Sequence, residues 1–431
     1  MKKIHFIGIG GIGISALARF LKEQGYEISG SDIKESKITK ELEKEGINIK
    51  IPHHKDNVKN VDLVVYSAAI KEDNEELLSA KEQQNISTLS RKEALPMILK
   101  DKRVFAVAGA HGKSTTSSIL ASLIEASVII GAVLKESGTN MLYKESENLI
   151  FEADESDSSF LNSNPYLAIV TNVEAEHLDH YGNDLAKLHK AYEDFLNLSK
   201  IQVINTQDEF LASLNLNNAK KLYPDKDIKN ICMSVENFKP KINFELKNYG
   251  KFSVCGMGEH VALDASLAIL AASEFLNIEQ IRANLQNYQG IKKRFDILFA
   301  NENMALIDDY GHHPTEIKTT LKAASEYAKL AGYKKITAIF EPHRYTRLSA
   351  NIEYFAKVFS CVDDLYILPV YAAGEAKIDI NMQKYFPKAK FIQDIKREQN
   401  AIYLDDILIN DGLVIGFGAG DISAKLRGIY V

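Results

Sequence analysis

Short apolar stretches alternate with longer segments of helical periodicity along most of the chain. The first cycle has an apolar stretch at 3–7, a segment with one apolar face at 14–24, and a second apolar stretch at 27–30. Short apolar runs are typical of buried strands, and apolar positions three and four apart are typical of helices packed on a sheet. The alternation predicts an α/β fold with parallel sheets covered by helices.

The same cycle recurs down the chain, and each recurrence predicts another strand or helix. Further strands are predicted at 61–66, 86–89, 104–107, 149–153, 167–171, 304–307, 335–340, 364–370 and 413–417, and further helices at 74–84, 91–99, 114–126, 264–275 and 315–330. Charged runs at 100–103 and 292–294 separate these elements into three groups. We therefore predict three domains, at 1–100, 101–294 and 295–431, of which the first and last are Rossmann-like.

The composition is that of a globular protein and argues against several classes of function. Of the 431 residues 45% are hydrophobic and 26% charged, and the net charge of -6 gives no general attraction to nucleic acid. No apolar run approaches the ~18 to 20 residues of a membrane span, and glycines interrupt the signal-like start of the chain. We expect a cytoplasmic protein that binds neither nucleic acid nor membrane. Its cysteines, Cys232, Cys255 and Cys361, are expected to be unpaired and buried.

A glycine-rich turn between a predicted strand and a predicted helix carries the strongest chemical signal. This phosphate loop consists of Gly109, Ala110, His111, Gly112, Lys113, Ser114 and Thr115. Its amides and the helix N-terminus can surround phosphate oxygens, Lys113 can reach β- and γ-phosphates, and Ser114 can bind Mg²⁺. Val107 stands where the strict pattern has its first glycine. The loop predicts a nucleoside triphosphate site, and the alternative is an ordinary glycine turn with a surface lysine.

A second glycine loop follows the first predicted strand. This N-terminal glycine loop contains Gly8, Gly10, Gly11 and Gly13, and Asp32 follows it at the end of the next strand. An acid about 20 residues after such a loop is typical of a dinucleotide site, where it binds a ribose hydroxyl. Three interpretations remain open: NAD binding, glycines that only allow close helix packing, and the diphosphate of another nucleotide such as a UDP-sugar.

Polar residues collect directly after several predicted strands. Because the carboxyl ends of parallel strands meet at one edge of a sheet, Glu152 and His177 could complete a Mg²⁺ site near Ser114, although solvated acidic turns are the alternative. A similar edge is predicted in the last domain, after the strands that precede Tyr310, His312, His343, Arg344 and Arg347. A zinc site at His312 and His313 is disfavoured, because adjacent side chains point apart. His53 and His54 are expected at the surface.

Taken in order, these segments resemble the Mur ligases, and most closely the alanine-adding members of that family. The matching segments extend over the whole chain, at 8–13, 31–32, 109–116, 152–157, 171–179, 290–295, 308–316, 342–347 and 418–422. The resemblance implies an ATP-dependent ligase that joins L-alanine to UDP-N-acetylmuramate through an acyl phosphate. It also implies that the three domains bind, in order, the UDP-sugar, ATP with Mg²⁺ or Mn²⁺, and the amino acid, in a monomer or weak homodimer.

The resemblance implies a role for individual residues as well. Those of the UDP-sugar site are Gly8, Gly10, Gly11, Gly13, Asp32 and Ser67; those of the nucleotide site are 109–115, His260, Asp264 and Arg294; those of the metal site are Ser114, Glu152 and His177; and those of the reaction are Lys113, Tyr310, His312, His343, Arg344 and Arg347. Among Tyr310, His312 and His343 the sequence does not select the one that handles the amine proton.

The sequence departs from the family pattern at two places. Ala110 replaces a threonine, and Val261 and Asp264 replace two asparagines, so the adenine-side contacts are left open because Val261 has no polar side chain. Three other functions are alternatives to this one. A recycling ligase for a tripeptide has a similar phosphate loop, an NAD-dependent oxidoreductase leaves Lys113 without a role, and an ATP-gated binding module leaves the histidines and arginines of the last domain unexplained.

Overall fold

The computed structural model describes residues 2–429, which form two compact units. The first contains 2–229, 246–249 and 263–288, and the second contains 230–245, 250–262 and 289–429. None of the helices in this described part combines the length and apolar composition that a bilayer crossing requires.

The first unit begins with a five-stranded parallel sheet in the order β3-β2-β1-β4-β5. Its elements are β1 (Lys3–Ile7), β2 (Glu27–Ser31), β3 (Asn48–Lys50), β4 (Leu63–Tyr66), β5 (Ser87–Ser90), α1 (Ile12–Glu23), α2 (Lys37–Lys44), α3 (Glu75–Glu82) and α4 (Arg91–Ile98). Because the strand order reverses at β1, the carboxyl ends of β1, β2 and β4 border a crevice suited to a ligand.

A seven-stranded sheet follows in the same unit, in the order β12-β11-β10-β6-β9-β7-β8, with β8 antiparallel to β7. Its strands are β6 (Arg103–Ala108), β7 (Ser127–Ile129), β8 (Met141–Leu142), β9 (Asn148–Glu152), β10 (Leu167–Val170), β11 (Ile201–Asn205) and β12 (Lys220–Leu222). Its helices are α5 (Lys113–Leu123), α6 (Leu185–Asn197), α7 (Glu209–Ser213) and α8 (Pro224–Asp227). The central strand β6 leads into the phosphate loop, with β9 and β10 on its two sides.

One apolar core extends through both sheets of the first unit. Leu17 and Phe20 of α1 belong to the same buried cluster as Phe151 of β9. A polar contact accompanies this packing: Arg19 donates to Asn140 Oδ1 at 2.6 Å and to Glu45 at 2.8 Å. The residues up to 100 and those of the second sheet are therefore packed into one body.

The second unit is built on a six-stranded sheet in the order β16-β17-β24-β18-β19-β20, in which only the β16–β17 pairing is antiparallel. Its strands and helices are β16 (Asp296–Ala300), β17 (Met304–Asp309), β18 (Ile336–Phe340), β19 (Asp364–Ile367), β20 (Lys390–Phe391), β24 (Gly412–Phe417), α11 (Pro314–Ala331), α12 (Tyr345–Phe359), α13 (Met382–Tyr385) and α14 (Ile422–Leu426). The predicted edge is confirmed, because β17, β24, β18 and β19 run parallel and end on the same side.

Two small sheets and two helices complete the chain. One sheet consists of β13 (Ile228–Glu236), β14 (Lys239–Leu246) and β15 (Gly250–Cys255), and the other of β21 (Ile395–Glu398), β22 (Ala401–Leu404) and β23 (Ile407–Ile409). The helices α9 (Glu259–Ala272) and α10 (Ile278–Leu285) follow β15. Helix α9 begins five residues before its predicted start at 264.

Two expectations about side-chain burial were wrong. Cys232 and Cys361 are exposed and Cys255 is half-buried, so the cysteines do not serve as small core residues. Cys232 lies on the exposed middle of β13, where burial does not alternate along the strand. His53 is half-buried rather than on the surface, and its Nδ1 lies 2.9 Å from the buried carboxylate of Glu76.

Candidate active site

At two of its positions the phosphate loop has a backbone conformation that strongly favours glycine. Gly109 and Gly112 have φ angles of 137° and 81°, in the region that other residues rarely occupy. A Cβ at Gly109 would collide with the hydroxyl of Thr171, and a Cβ at Gly112 would lie 2.5 Å from Asp264 Oδ1. The loop is thus closely packed against its neighbours, and the start of α5 is left to face a ligand.

Two residues that follow β10 fix the shape of the phosphate loop. The amide of His111 donates to Asn172 Oδ1 at 2.9 Å, and the Asn172 side chain donates back to the His111 carbonyl at 3.0 Å. The hydroxyl of Thr171 donates to the same carbonyl at 2.5 Å. Neither Thr171 nor Asn172 was predicted to have a role of its own, although their position after a buried strand beside β6 was an available signal.

The side chain of Lys113 is folded back over the phosphate loop. Its ammonium donates to the carbonyl of Ala110 at 3.3 Å and to both carboxylate oxygens of Glu155, at 2.9 and 3.0 Å. Burial raises the pKa of Glu155, and the charge of Lys113 opposes that rise. A phosphate group that bound Lys113 would replace the carboxylate of Glu155. The contact between Lys113 and Glu155 was not predicted, because Glu152 was taken as the functional acid of this segment.

The predicted metal-binding residues lie in two neighbouring sets. Glu152 accepts from the Ser114 hydroxyl at 2.8 Å and from the amide of Gly131 at 3.0 Å. His177 lies instead with Glu155 and Glu176, one ligand atom of each within 4.8 Å of the others. Carboxylate oxygens, a hydroxyl and one imidazole form a donor set that suits Mg²⁺ or Mn²⁺. The residues present therefore fit a divalent cation beside the phosphate loop.

The backbone of His177 is unusual for a residue with a side chain. Its φ of 54° lies in the left-handed region, which costs free energy in residues other than glycine. The turn 174–177 that it closes carries both Glu176 and His177, and Glu174 with Glu176 also faces His111 of the phosphate loop. This strained turn brings Glu174 and Glu176 towards His111, and His177 towards Glu155.

The N-terminal glycine loop is closed by Asp32. Oδ2 of Asp32 accepts from the amide of Gly10 at 2.8 Å, and a Cβ at Gly10 would lie 2.7 Å from that oxygen. A Cβ at Gly8 would lie 3.1 Å from Ser67 Cβ. The N-terminal glycine loop therefore lies beside Asp32 and Ser67, at the carboxyl ends of β1, β2 and β4. The missing side chain at Gly10 leaves room for the carboxylate of Asp32, and this packing role could not be inferred from the spacing of the glycines.

The other predicted nucleotide contacts are divided between the two units. Asp264, which is buried, lies against Gly112 in the first unit. His260 and Arg294 belong to the second unit. There the Arg294 guanidinium lies 3.9 Å from Glu316 and 5.8 Å from the ring centre of Tyr310.

The second unit gathers rings and arginines where β17 and β18 end. The ring centres of Tyr310 and His312 lie 5.1 Å apart, and those of His312 and His343 lie 6.1 Å apart. His343 stacks on Tyr371 at 5.4 Å, and Arg347 Nη1 lies 3.0 Å from His343 Nδ1. The predicted residues of this edge are therefore neighbours, and Tyr371 joins them as a residue that sequence reasoning did not select.

Arg344 is the N-cap of α12 and has a strained backbone. Its φ is 70°, and its amide donates to the carbonyl of Tyr371 at 2.8 Å. Asp309 fixes the opposite side of the cluster by accepting from the amides of Phe295 and Gly311, at 2.8 and 2.9 Å. Burial raises the pKa of Asp309 to about 6, although both amides oppose the rise.

The two histidines of this cluster present different nitrogens. His312 Nδ1 lies 3.0 Å from the Tyr310 carbonyl oxygen, so this nitrogen donates and Nε2 is the basic one in the neutral ring. His343 Nδ1 faces Arg347, which can only donate, so the proton of neutral His343 sits on Nε2.

Burial keeps both rings neutral near pH 7. It lowers the pKa of His312 against the opposing charge of Glu316, and it lowers the pKa of His343 to about 4 with help from the charge of Arg347. The basic nitrogen of His312 is therefore Nε2, whereas that of His343 is Nδ1 and accepts from Arg347.

Comparison with known proteins places this architecture in one family. The chain matches the model of the Mur ligase family catalytic domain at 3–103, that of the Mur ligase middle domain at 107–272, and that of the Mur ligase glutamate ligase domain at 293–420. It is 71% identical to the UDP-N-acetylmuramate--L-alanine ligase of Campylobacter jejuni, covering 99% of both chains. It is 50% identical to the enzyme of the same name from Helicobacter pylori, covering 99% of this chain and 96% of that one.

A solved structure agrees with these matches. The crystal structure of the UDP-N-acetylmuramate-alanine ligase of Thermotoga maritima superimposes with a TM-score of 0.83 at 28% identity, covering 100% of this chain and 98% of that chain. The three-domain α/β architecture is thus that of a known ligase. Since three family models and full-length relatives agree, the chain belongs to the Mur ligase family.

Proposed function

We propose that this chain is an ATP-dependent ligase that joins L-alanine to UDP-N-acetylmuramate in peptidoglycan synthesis. The observation that carries the proposal is the 71% identity, over 99% of both chains, to a ligase of that name. The geometry supports it, because a nucleotide loop and a separate cluster of neutral histidines and arginines occur in one chain. An oxidoreductase would leave both features without a role.

The first unit supplies the activation of the sugar's carboxylate. Forming an amide from a carboxylate and an amine in water is uphill, and ATP supplies a phosphoryl group that turns the carboxylate into an acyl phosphate. The amides of 109–112 and the start of α5 would hold the phosphates, and Lys113 would exchange Glu155 for the transferring group. Phosphoryl transfer depends mainly on charge compensation and positioning, which these groups provide.

The second unit binds the amino acid and accepts its amine proton. Nε2 is the basic nitrogen of the neutral His312 ring, so it can accept the proton that the alanine amine loses as it attacks. Arg344 and Arg347 offer planar forks for a carboxylate. His343 accepts from Arg347 and stacks on Tyr371, and we assign it the role of orienting that arginine. Tyr310 packs edge-on against His312 and holds its ring.

A divalent cation belongs beside the phosphate loop in this proposal. Ser114 and Glu152 would hold Mg²⁺ there, and His177 would serve a second position with Glu155 and Glu176.

His177→Ala should raise the Mg²⁺ concentration for half-maximal rate while leaving metal-free thermal stability nearly unchanged, since His177 is exposed. A metal-free protein that unfolds, together with an unaltered Mg²⁺ dependence of the remaining activity, would show that His177 is structural.

The three domains keep their predicted roles and boundaries in the proposal. The first binds the UDP-sugar acid, the second ATP and the metal, and the third alanine, with boundaries at 100 and 294. These boundaries are supported by the family matches at 3–103, 107–272 and 293–420. We place the reaction in the cytoplasm, where ATP and nucleotide sugars are present, and expect a monomer or a weak homodimer.

Phosphate release tests the function directly. Purified protein with ATP and Mg²⁺ should release phosphate only when both UDP-N-acetylmuramate and L-alanine are present. Release with the tripeptide in place of alanine would favour a recycling ligase. Hydride transfer to or from a nicotinamide nucleotide, without phosphate release, would favour an oxidoreductase, and ATP binding without either reaction would favour a binding module.

A further inference from the structure

Glu316, in the first turn of α11, holds the backbone at the start of its helix. Its Oε2 accepts from the amide of His312 at 3.0 Å and from the amide of His313 at 3.2 Å. A glutamate of the first turn that accepts from an amide before the helix is a common way to satisfy a helix start. The same oxygen lies 3.5 Å from Nδ1 of His312. One carboxylate therefore lies close to both the backbone and the ring of the histidine to which the proposed function assigns the amine proton.

The proton on Nδ1 of His312 faces two oxygens of different character. The carbonyl of Tyr310, whose ring also packs edge-on against His312, accepts at 3.0 Å and fixes the tautomer. Glu316 Oε2, at 3.5 Å, is at the limit of a hydrogen bond and acts on the ring mainly through its charge. The side chains of His312 and Glu316 are 20% and 24% exposed, so solvent screens this charge less than it would at the surface.

Other elements bring further ionisable groups to the His312 ring. They are Arg347 of α12, Arg294 in the segment before β16, and His343 after β18. Burial lowers the pKa of His312, and the charge of Glu316 opposes that shift. The charges of the two arginines lower it further, whereas the ring of His343 is itself neutral at pH 7 because burial lowers its pKa to about 4. Glu316 therefore balances a positive surrounding.

Glu316 is ionised at pH 7 and fixed by its own contacts. Burial raises its pKa, but the charge of His312, the two amide hydrogen bonds and the charge of Arg294 lower it overall. While Oε2 serves the amides, Oε1 lies 3.9 Å from Nη1 of Arg294. All of these residues belong to the second unit. The carboxylate is thus held with its negative charge beside Nδ1 of His312.

We propose that Glu316 is the positioning residue that fixes the His312 ring and stabilises its imidazolium form when Nε2 takes the amine proton of alanine. The inference rests on the proposed function, since it needs the acyl phosphate and the amine as reactants. As the amine nitrogen bonds to the acyl carbon, the bond from that carbon to the phosphate oxygen breaks and phosphate leaves with the electron pair. The N–H proton passes to Nε2 of His312, and Glu316 takes no proton. A carboxylate fixed beside an imidazole favours the cation, as in other sites where a carboxylate orients a histidine base.

A histidine NMR titration tests the charge effect without any substrate. Glu316→Gln keeps an oxygen that can accept from the amides of His312 and His313, but it removes the negative charge. The resonance of His312, identified by its loss in His312→Gln, should therefore titrate at a lower pH in Glu316→Gln than in wild type.

Steady-state kinetics tests the effect on the reaction. In Glu316→Gln the acid limb of kcat/KM for alanine should move to lower pH, in the same direction as the NMR titration. Above this limb kcat should fall about tenfold or more, because the remaining base is weaker and a general base contributes ~10² to 10⁴-fold in all. Glu316→Asp, which keeps the charge on a shorter side chain, should restore part of both the titration and the rate.

The controls separate this effect from folding. Glu326→Gln is the matched variant, because Glu326 is exposed on the same helix, α11; it should titrate and react as wild type does. Thermal melting shows that each variant is folded. Glu316→Asp serves if Glu316→Gln is not folded, because its charge is withdrawn from the ring and should move the acid limb in the same direction by a smaller amount.

An unchanged titration of His312 in a folded Glu316→Gln would overturn the proposal. So would a loss of rate without a shift of the acid limb, which would make Glu316 purely structural, or a change confined to the KM for ATP, which would make it a partner of Arg294. A wild-type protein that releases no phosphate with the sugar acid and alanine would overturn the proposed function, whereas the NMR titration would still report the coupling between Glu316 and His312.

Discussion

The ammonium of Lys113 is shared between loop carbonyls and the buried carboxylate of Glu155. Lys113→Met should therefore reduce ligation by at least ~100-fold, or ~3 kcal/mol, because a positioned cation is lost at the transferring phosphoryl group. The Kd of UDP-N-acetylmuramate should stay the same, since its predicted site is the N-terminal glycine loop. ADP formation and nucleotide titration measure the two effects.

The same substitution leaves Glu155 buried without its partner. Lys113→Met should lower the melting temperature at neutral pH, and Lys113→Met with Glu155→Gln should regain part of it, because the uncompensated charge is gone. Lys190→Met is the control, because Lys190 is exposed on α6. Unchanged turnover in Lys113→Met would contradict the assignment of the phosphate loop.

Protonation of His312 should limit the rate on the acid side. Burial lowers the pKa of His312 from its usual value of 6.5, so the ring is neutral at pH 7 and gains a proton as the pH falls below that value. His312→Gln should lower kcat and abolish this acid limb, because no base remains to titrate. His343→Gln should keep the limb and raise the KM for alanine, because it disturbs Arg347. A pH profile of kcat/KM from 5 to 9 distinguishes the two variants.

Residue identities in the two glycine loops could be predicted because the spacing of glycine, lysine and serine carries the chemistry. The choice between Glu152 and Glu155 could not be predicted, because Glu152 ends β9, Glu155 lies three residues beyond it, and the backbone direction after the strand decides which carboxylate meets Lys113. The difference between His312 and His343 was equally hidden, since the tautomer depends on a carbonyl and an arginine that approach from other turns.

The first sheet contains a buried ion network that makes it sensitive to acid. His5 of β1 is fully buried, its Nδ1 lies 2.9 Å from the Ser29 hydroxyl, and its Nε2 lies 4.0 Å from Glu76 of α3. Burial lowers the pKa of His5 to about 4, although Glu76 opposes the shift. The unfolded chain therefore binds a proton between pH 6.5 and 4 that the folded chain does not, and stability falls as the pH drops through this window.

His5→Gln should weaken this acid sensitivity. The difference between folded and unfolded pKa corresponds to about 3 kcal/mol of stability lost by pH 4, and glutamine cannot take up a proton. The decrease in melting temperature between pH 7 and pH 4.5 should thus be smaller in His5→Gln than in wild type. His54→Gln is the control, because His54 is exposed. Equal decreases in all three proteins would exclude His5 as the source.

Elements that alternate apolar strands with amphipathic helices were predictable, and their ends moved by a few residues. The small sheets were not predicted. β13 is exposed along most of its length, so its burial does not alternate. β14 does alternate between buried and more exposed positions, and this signal in its sequence was available. The order of strands within each sheet also stayed out of reach, because it depends on pairings between distant segments.

At the scale of the whole molecule, charged runs suggested three domains, whereas packing groups the first two sheets into one unit. The contacts responsible are far apart in sequence: Arg19 and Asn140 are separated by 121 positions. A charged run at 100–103 marks a surface turn and says nothing of the core that continues beneath it. The number of domains predicted from charged runs therefore reflects where surface linkers lie. The number of compact units depends on packing between distant segments, which the sequence pattern does not reveal.

Because each unit has its own apolar cores, we predict two thermal transitions, and UDP should raise the one that belongs to the first unit. Asn140→Leu should lower that same transition. Asn140 is buried, accepts from Arg19 at 2.6 Å and donates to Ser15 Oγ at 3.1 Å, so leucine leaves Arg19 short of an acceptor. The loss should be about 2–3 kcal/mol, or roughly 5–10 °C in a unit of this size.

Calorimetry of wild type and Asn140→Leu, each with and without UDP, measures both transitions. Asn217→Leu is the control, because Asn217 lies exposed in a turn of the same unit and should move neither transition. A single transition that Asn140→Leu moves as a whole would mean that the two units unfold together. Two transitions that both stay in place would mean that the contact between Arg19 and Asn140 contributes no stability to the packing of the first two sheets.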